Sequence, residues 1–288
     1  MTELLPAATA VGPVELTVRD LERSLDFYTR RIGLERLTEG ESAPVVLGAA
    51  GFPLLSLVED SSARTVRGTT GLFHFALLVP SRPDLAGVLA RLAGTGTRLT
   101  GAADHGVSEA LYLSDPEGNG IEIYRDRPAE AWPREGGRLA MFTEALDLEA
   151  LLAEGNEEPP VPTLPAGTVM GHVHLHVRNL AEAERFYSGV LGFEVMQRYG
   201  PSALFVSTGG YHHRIGLNTW QGEDAPPPPP DATGLRKFAV RLADLPAIDR
   251  VKERLKAAGR PLEPRGGGFF ARDPSGNGIE FQLSGANL

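Results

Sequence analysis

The sequence predicts an α+β fold assembled from four βαβββ modules, and three observations predict it. The stretch VGPVELTVRDLERSLDFYTRRIGLE from Val11 returns as MGHVHLHVRNLAEAERFYSGVLGFE from Met170. The two match at an offset of 159 in their hydrophobic positions, the Phe-Tyr pair and Gly33/Gly192. GLFHFALLVP from Gly71 is echoed by GLRKFAVRLA from Gly234. Each of those is followed by nearly the same tail, DPEGNGIEIY from Asp115 and DPSGNGIEFQ from Asp273. A chain that repeats itself in this way is two halves of two modules each.

The first module opens on a strand in which Val14, Leu16 and Val18 alternate with Pro13, Glu15 and Thr17. Asp20 is the expected N-cap of a helix whose apolar stripe is Leu21, Leu25, Tyr28 and Ile32. Gly33 is its expected C-terminal glycine. In the second module Phe73, Phe75 and Leu77 alternate with His74, and Leu85, Val88, Leu89 and Leu92 mark the helix. His105 to Tyr124 then reads as strand, tight turn, strand, because Gly118, Asn119 and Gly120 accept positive φ cheaply. Glu122 sits between Ile121 and Ile123, so it projects to the opposite side of the sheet from both. Residues 131–166 read as a linker: Trp132-Pro133 and the Glu-Glu-Pro-Pro-Val-Pro run from Glu157 are breakers, with a short helix expected around Ala145 to Ala153. In the third module Val173, Leu175 and Val177 face one way and His172, His174 and His176 the other, with Asn179 as helix cap. The fourth module's helix carries Ile248, Val251 and Leu255. Pro226 to Pro230 form a stiff spacer loop ahead of it. The expected division is therefore 1–130 (modules one and two), 131–166 (linker) and 167–288 (modules three and four).

Length and composition bound the function. The 288 residues, with 42% hydrophobic and 23% charged side chains, suit two ordinary domains with cores of their own. A formal net charge of −9 argues against nucleic acid or an anionic membrane as partner. No apolar run approaches the roughly 20 residues that span a bilayer. The start, MTELLPAATAVGP, lacks the basic and long apolar parts of a signal peptide, so a cytoplasmic protein is expected. Without cysteine, any metal must be held by histidine, carboxylate or water.

The combination GHVHLHVRNL, FY, LGF and DPxGNGIE resembles the vicinal oxygen chelate (glyoxalase, bleomycin resistance and dioxygenase) superfamily over nearly the whole chain. The resemblance implies four βαβββ modules forming two cup-shaped mixed β-sheets with flanking helices. It leaves the reaction open, since the superfamily holds isomerases, lyases, dioxygenases and metal-free binding proteins.

The histidines narrow it. All seven (His74, His105, His172, His174, His176, His212 and His213) fall in modules two and three. The cup-facing positions that correspond to His172 and His74 are Pro13 in module one and Lys237 in module four, and neither binds metal readily. The third ligand is Glu122. Its repeat partner Glu280 sits where Lys237 replaces His74, so that pair reads as a disused site turned ion pair. Two imidazoles and a carboxylate make the facial set that leaves adjacent positions open on a divalent metal.

GLFHFALLVP, DHGVSEALYLSDPEGNGIEIYRDRP, GHVHLHV and YHHRIGLNTW together resemble the extradiol ring-cleaving dioxygenases, most closely the bacterial two-domain catechol 2,3-dioxygenases. The resemblance implies His74, Glu122 and His172 as ligands of Fe(II), with Mn(II) accepted by the same triad. It implies a catechol-type aromatic diol and O2 as substrates and a homo-oligomer as the assembly. It assigns His105 and Tyr112 to hydrogen bonds with substrate or intermediate oxygens. His212 is the first candidate for proton transfer, because alternation puts it on one face with Gly216, which aligns with the Glu122 rung; His213 is the second. His174 lines the cup, His176 lines or supports it, and Asn218 and Trp220 shape the substrate pocket. The ligands straddle the two halves, which requires modules two and three to pair, and one with four. A glyoxalase-type lyase or isomerase, favouring four ligands and often two carboxylates, and a metal-free binding protein are the alternatives. The single clear carboxylate weighs against the first and the clustered histidines against the second.

Overall fold

The computed structural model describes residues 3–40, 44–155 and 162–285. The linker run from Glu157 through Val161 lies outside the described residues. In the first module β1 (Ala10–Val18) leads to α1 (Leu21–Asp26), a π-helical segment (Phe27–Ile32), β2 (Glu35–Arg36), β3 (Val45–Ala49) and β4 (Phe52–Glu59). The second runs β5 (Gly71–Leu78), α2 (Arg82–Gly94), β6 (Gly101–Asp104), β7 (Ser108–Ser114) and β8 (Gly120–Asp126). The segment between the halves carries β9 (Arg134–Glu135), β10 (Arg138–Leu139), β11 (Glu144–Ala145) and α3 (Leu148–Leu152). The third module has β12 (Val169–His176), α4 (Leu180–Glu184), a second π segment (Arg185–Leu191), β13 (Glu194–Tyr199), β14 (Ala203–Ser207) and β15 (Ile215–Asn218). The fourth has β16 (Gly234–Leu242), α5 (Leu245–Ala257), β17 (Glu263–Arg265), β18 (Gly268–Arg272) and β19 (Gly278–Leu283). Each module is the βαβββ unit that the repeat predicts.

Two large mixed sheets result. One has eight strands in the order β17-β18-β19-β16-β1-β4-β3-β2 and the other nine in the order β11-β6-β7-β8-β5-β12-β15-β14-β13. Modules one and four therefore share a sheet, and modules two and three share the other, as the ligand positions require. By contact density the chain groups into 17–63 with 74–171, and residues up to Leu16 with 64–73 and 172 onward. In both groups the first strands bury their alternate residues completely: Phe75 and Leu77 in the former, Val173, Leu175, Phe238, Val240 and Leu242 in the latter. Each such side chain contributes about 1.5–3 kcal/mol of transfer free energy.

The helix caps are those expected. Asp20 accepts from the Arg23 N–H at 2.9 Å and Asn179 from the Glu182 N–H at 2.9 Å. Alternation and stripe do not announce the π segments, in which the Gly33 N–H bonds the Tyr28 carbonyl five residues back at 3.1 Å. Gly33 then turns left-handed, at φ 94°, and a Cβ there would strike the Arg91 guanidinium. That guanidinium donates to the Ile32 carbonyl at 3.0 Å, closing the helix end. Arg254 does the same for Leu191 in the second half, at 3.2 Å.

The repeated tail is a latch of the fold. Asp115 accepts from the N–H groups of Glu117 and Asn119, from the Asn119 side chain and from the Tyr28 hydroxyl at 2.7 Å. Asp273 accepts the same set from Ser275, Asn277 and, at 3.0 Å, Tyr187. The latch thus ties the Phe-Tyr helix of one module to the turn of the next. Burial, and then the neighbouring carboxylate, holds both tyrosines well above their ordinary pKa.

The helix expected around Ala145 to Ala153 is shorter, and Glu144–Ala145 instead pair with β6 as an edge strand. A second feature escapes alternation. Glu109 on β7 is buried and gathers three arginines, Arg82 at 2.7 Å, Arg125 at 2.8 Å and Arg127 at 3.0 Å. The proline run Pro226–Pro230 forms no helix or strand. Its flanks are held by Thr70 N–H to Pro226 O and by an Arg64–Asp231 ion pair at 2.7 Å, as suits a spacer. Among the described residues no helix is long and apolar enough to cross a membrane.

Candidate metal centre

Strands β5 and β8 run parallel with His74 opposite Gly120 and Ala76 opposite Glu122. Strand β7 runs antiparallel to β8 and sets Tyr112 directly across from Glu122. The tight turn thus does what its sequence promises, because it fixes the register. His74 Nε2 lies 3.0 Å from Glu122 Oε2. His74, Glu122 and His172 are all buried, at 5, 3 and 1% exposure, and offer ligand atoms that lie within 4.8 Å of one another. Two imidazoles and one carboxylate concentrated out of water fit a divalent transition metal. A buried carboxylate and two buried imidazoles are costly to desolvate unless a proton or cation joins them.

A polar chain leads away from Glu122. Tyr112 stands across from Glu122 in the ladder, and its hydroxyl lies 2.7 Å from His105 Nε2. Burial first, then the charge of Glu122, raises the Tyr112 pKa well above its ordinary value, so the phenol keeps its proton. On the far side, His105 Nδ1 is 2.9 Å from the Phe142 carbonyl and 3.2 Å from Thr143 Oγ1.

The histidines of module three gather around His172. The His213 ring centroid is 4.1 Å from that of His172 and the His212 centroid 6.5 Å. His212 and His213 face each other at 2.8 Å between their Nδ1 atoms. The alternation that ranked His212 first does not reach either residue, because β15 begins only at Ile215. His174 stands opposite Gly216, where a Cβ would meet its ring. Its ring packs on Phe73 at 5.1 Å, Trp220 at 5.2 Å and Phe205 at 5.8 Å. His176 Nδ1 bonds Asn218 Oδ1 at 2.7 Å, and that oxygen also accepts from the Trp220 N–H at 3.0 Å. Trp220 is half exposed, with its indole N–H on Ser202 Oγ.

Several neighbours escaped the sequence reading. Ala76, Ala110 and Tyr124 form a buried apolar cluster, flanked by Leu78 and Tyr112. Their register with His74 and Glu122 is the signal that would have found them. Phe73, placed with Phe75 by alternation, instead lays its ring against His174, His176 and Trp220, while Phe75 packs on Tyr28. The corresponding rung of the other sheet behaves as the repeat implies. Lys237 pairs with Glu280 and stands 3.5 Å from Glu15, and Arg236 holds Glu15 at 3.0 Å.

Comparison with known proteins agrees with this geometry. The family model described as the Glyoxalase/Bleomycin resistance protein/Dioxygenase superfamily matches residues 10–123 and 169–281. The chain is 47% identical over 280 residues to a catechol-2,3-dioxygenase of Bacillus subtilis (strain 168), covering 96% of this chain and 98% of the relative. A lactoylglutathione lyase of Escherichia coli O157:H7 is 26% identical over 122 residues, which is 40% of this chain and 90% of the relative. Among solved structures, one from Bacillus subtilis subsp. subtilis str. 168 superposes with a TM-score of 0.69 at 14% identity, covering 99% of this chain and 87% of that one. Glyoxalase I from Zea mays superposes at 0.58 with 16% identity, covering 95% of this chain and 92% of that one. At such identities these two structures speak for the fold alone.

Proposed function

The chain belongs to the Glyoxalase/Bleomycin resistance protein/Dioxygenase superfamily, and from that premise we propose that it is an extradiol ring-cleaving dioxygenase acting on a catechol-type aromatic diol with O2. The observation that carries this reading is the meeting of His74, Glu122 and His172 in a chain 47% identical, nearly end to end, to a catechol-2,3-dioxygenase. The metal is Fe(II) in this proposal, with Mn(II) as the alternative for the same donors. Held by His74, Glu122 and His172, it would supply a Lewis-acidic positive charge that favours the deprotonated form of the diol and electron transfer to dioxygen.

The residues around the triad have separate tasks. Tyr112 and His105 orient the diol oxygens by hydrogen bonding. A base near the ligands takes the diol proton and later returns one, a task that suits imidazole. The 4.1 Å approach of His213 to His172 supports His213 for it, with His212 as its hydrogen-bonded partner. His174, Asn218 and Trp220 shape the ring pocket, His174 and Trp220 by contact and Asn218 by holding the backbone of Trp220 and the ring of His176. The repeat halves 1–130 and 167–288, joined through 131–166, the cytoplasmic location and the homo-oligomeric state belong to the same proposal.

Anaerobic loading with Fe(II), followed by catechol and air, tests the reading. A yellow ring-fission product with one O2 consumed per diol is expected. No product with one equivalent of iron bound would sink it. The glyoxalase alternative consumes no oxygen, and its matched relative spans only 40% of this chain.

A further inference from the structure

The segment between the halves does more than connect them. Its strand β11 pairs Glu144 with Asp104 and Ala145 with Ala103, at the edge of the sheet that carries Glu122. That pairing brings the preceding residues, Ala140 to Thr143, over His105. The Phe142 N–H bonds the His105 carbonyl at 3.4 Å, and the Ala140 N–H bonds the Pro133 carbonyl at 3.0 Å. The Phe142 ring covers Gly106, where a Cβ would fall 2.5 Å from a ring carbon. Gly106 is also left-handed, at φ 74°, and its N–H is fixed by Asp104 Oδ1 at 2.8 Å.

The chemistry of these contacts determines a proton position. A carbonyl oxygen only accepts, so the 2.9 Å contact from Phe142 O requires the hydrogen on His105 Nδ1. In the neutral ring Nε2 then carries a lone pair, and it is Nε2 that meets the Tyr112 hydroxyl at 2.7 Å. With Nε2 bare, the one hydroxyl proton of Tyr112 is donated to His105 Nε2.

We propose that the strap Ala140–Thr143 is a positioning device for the active site. By holding His105 in its Nδ1–H form, it makes the nitrogen that faces Tyr112 an acceptor. The Tyr112 proton is drawn toward His105, and the Tyr112 oxygen is left to accept from a substrate hydroxyl. Phe142, through its carbonyl, and Thr143, through its hydroxyl, are positioning residues that act through His105. The part of the inference that concerns substrate rests on the dioxygenase reading; the tautomer does not.

The test is magnetic resonance of the metal-free protein carrying isotope-labelled histidine, with His105→Gln identifying the signals. The wild type is expected to show His105 in a single form, protonated on Nδ1 and bare on Nε2. Gly106→Ala, which displaces Phe142, is expected to give both tautomers and, after Fe(II) loading, a loss of roughly ten-fold or more in kcat/KM, the range for a lost supporting contact. Thr143→Val is expected to keep the tautomer and speed solvent exchange of the Nδ1 hydrogen several-fold. A wild-type ring protonated on Nε2, or an unchanged tautomer in folded Gly106→Ala, overturns the proposal. If Gly106→Ala does not fold, unchanged exchange in Thr143→Val overturns it. Loss of ring cleavage in the wild type would sink the dioxygenase reading and leave the tautomer result standing.

Discussion

Replacing Tyr28 by Phe removes one hydroxyl from a buried carboxylate and nothing else. The bond that disappears is 2.7 Å long, ends on Asp115, and joins residues 87 apart in sequence. Hydrogen bonds to charged groups are worth about 1.5–3 kcal/mol net. Asp115 keeps three N–H donors, from Glu117 N, Asn119 N and Asn119 Nδ2, so the carboxylate is not orphaned. The loss should therefore sit at the low end, about 1.5–2 kcal/mol. For a chain of this size that corresponds to a fall in Tm of about 3–8 °C. Urea unfolding at neutral pH measures it directly. Tyr187→Phe, whose bond to Asp273 is 3.0 Å, should lose a similar or slightly smaller amount. Metal content and kcat of the folded Tyr28→Phe protein should be unchanged, because the lost bond ends on Asp115, which is not one of the three candidate ligands, and three N–H donors still hold that carboxylate. A loss under about 0.5 kcal/mol, below the smallest net value expected of a hydrogen bond, would refute the latch. A loss of bound metal at full stability would place the tail in the site instead.

Other outcomes follow from the same contacts. His74→Ala, Glu122→Ala and His172→Ala should each abolish metal binding in equilibrium dialysis, whereas Glu280→Ala, whose rung is an ion pair with Lys237, should retain it. Tyr112→Phe, which removes the hydroxyl that meets His105 Nε2 across from Glu122, should lower kcat/KM by about 10–100-fold. Glu109→Gln should destabilise by about 2–4 kcal/mol in denaturant titration, since it strands three arginines that are themselves partly solvated. Tyr28 and Tyr187 should stay un-ionised in an alkaline absorbance titration until the chain unfolds. Their folded pKa values are raised, so above about pH 10 the unfolded state releases protons that the native state keeps, and stability falls as pH rises.

Much of this molecule is written locally. Period-two runs give β1, β5, β12 and β16, Asp20 and Asn179 give the caps, and the Gly118-Asn119-Gly120 turn gives the Tyr112–Glu122 register. These features depend on residues close in sequence, where sterics and hydrogen bonding leave few choices. The repeat added a comparison inside the chain itself. Lys237 and Pro13 at positions held by His74 and His172 indicate which sheet kept its ligands.

Other features depend on partners far away in sequence. Alternation cannot extend His212 and His213 into a strand that begins at Ile215, so their order around His172 emerges only from packing. Nor does it foresee Phe73 turning its ring to His174, or Glu109 gathering arginines from three other elements and turns. The stretch that reads as a linker supplies a strand and the carbonyl that faces His105, because an unpaired sheet edge accepts any extended backbone that reaches it. The sequence by itself determined the modules, the candidate ligands and the sheet in which they belong. Tertiary structure alone decided which side chains stand around those ligands, because burial and hydrogen-bond partners are set by contacts that no local pattern encodes.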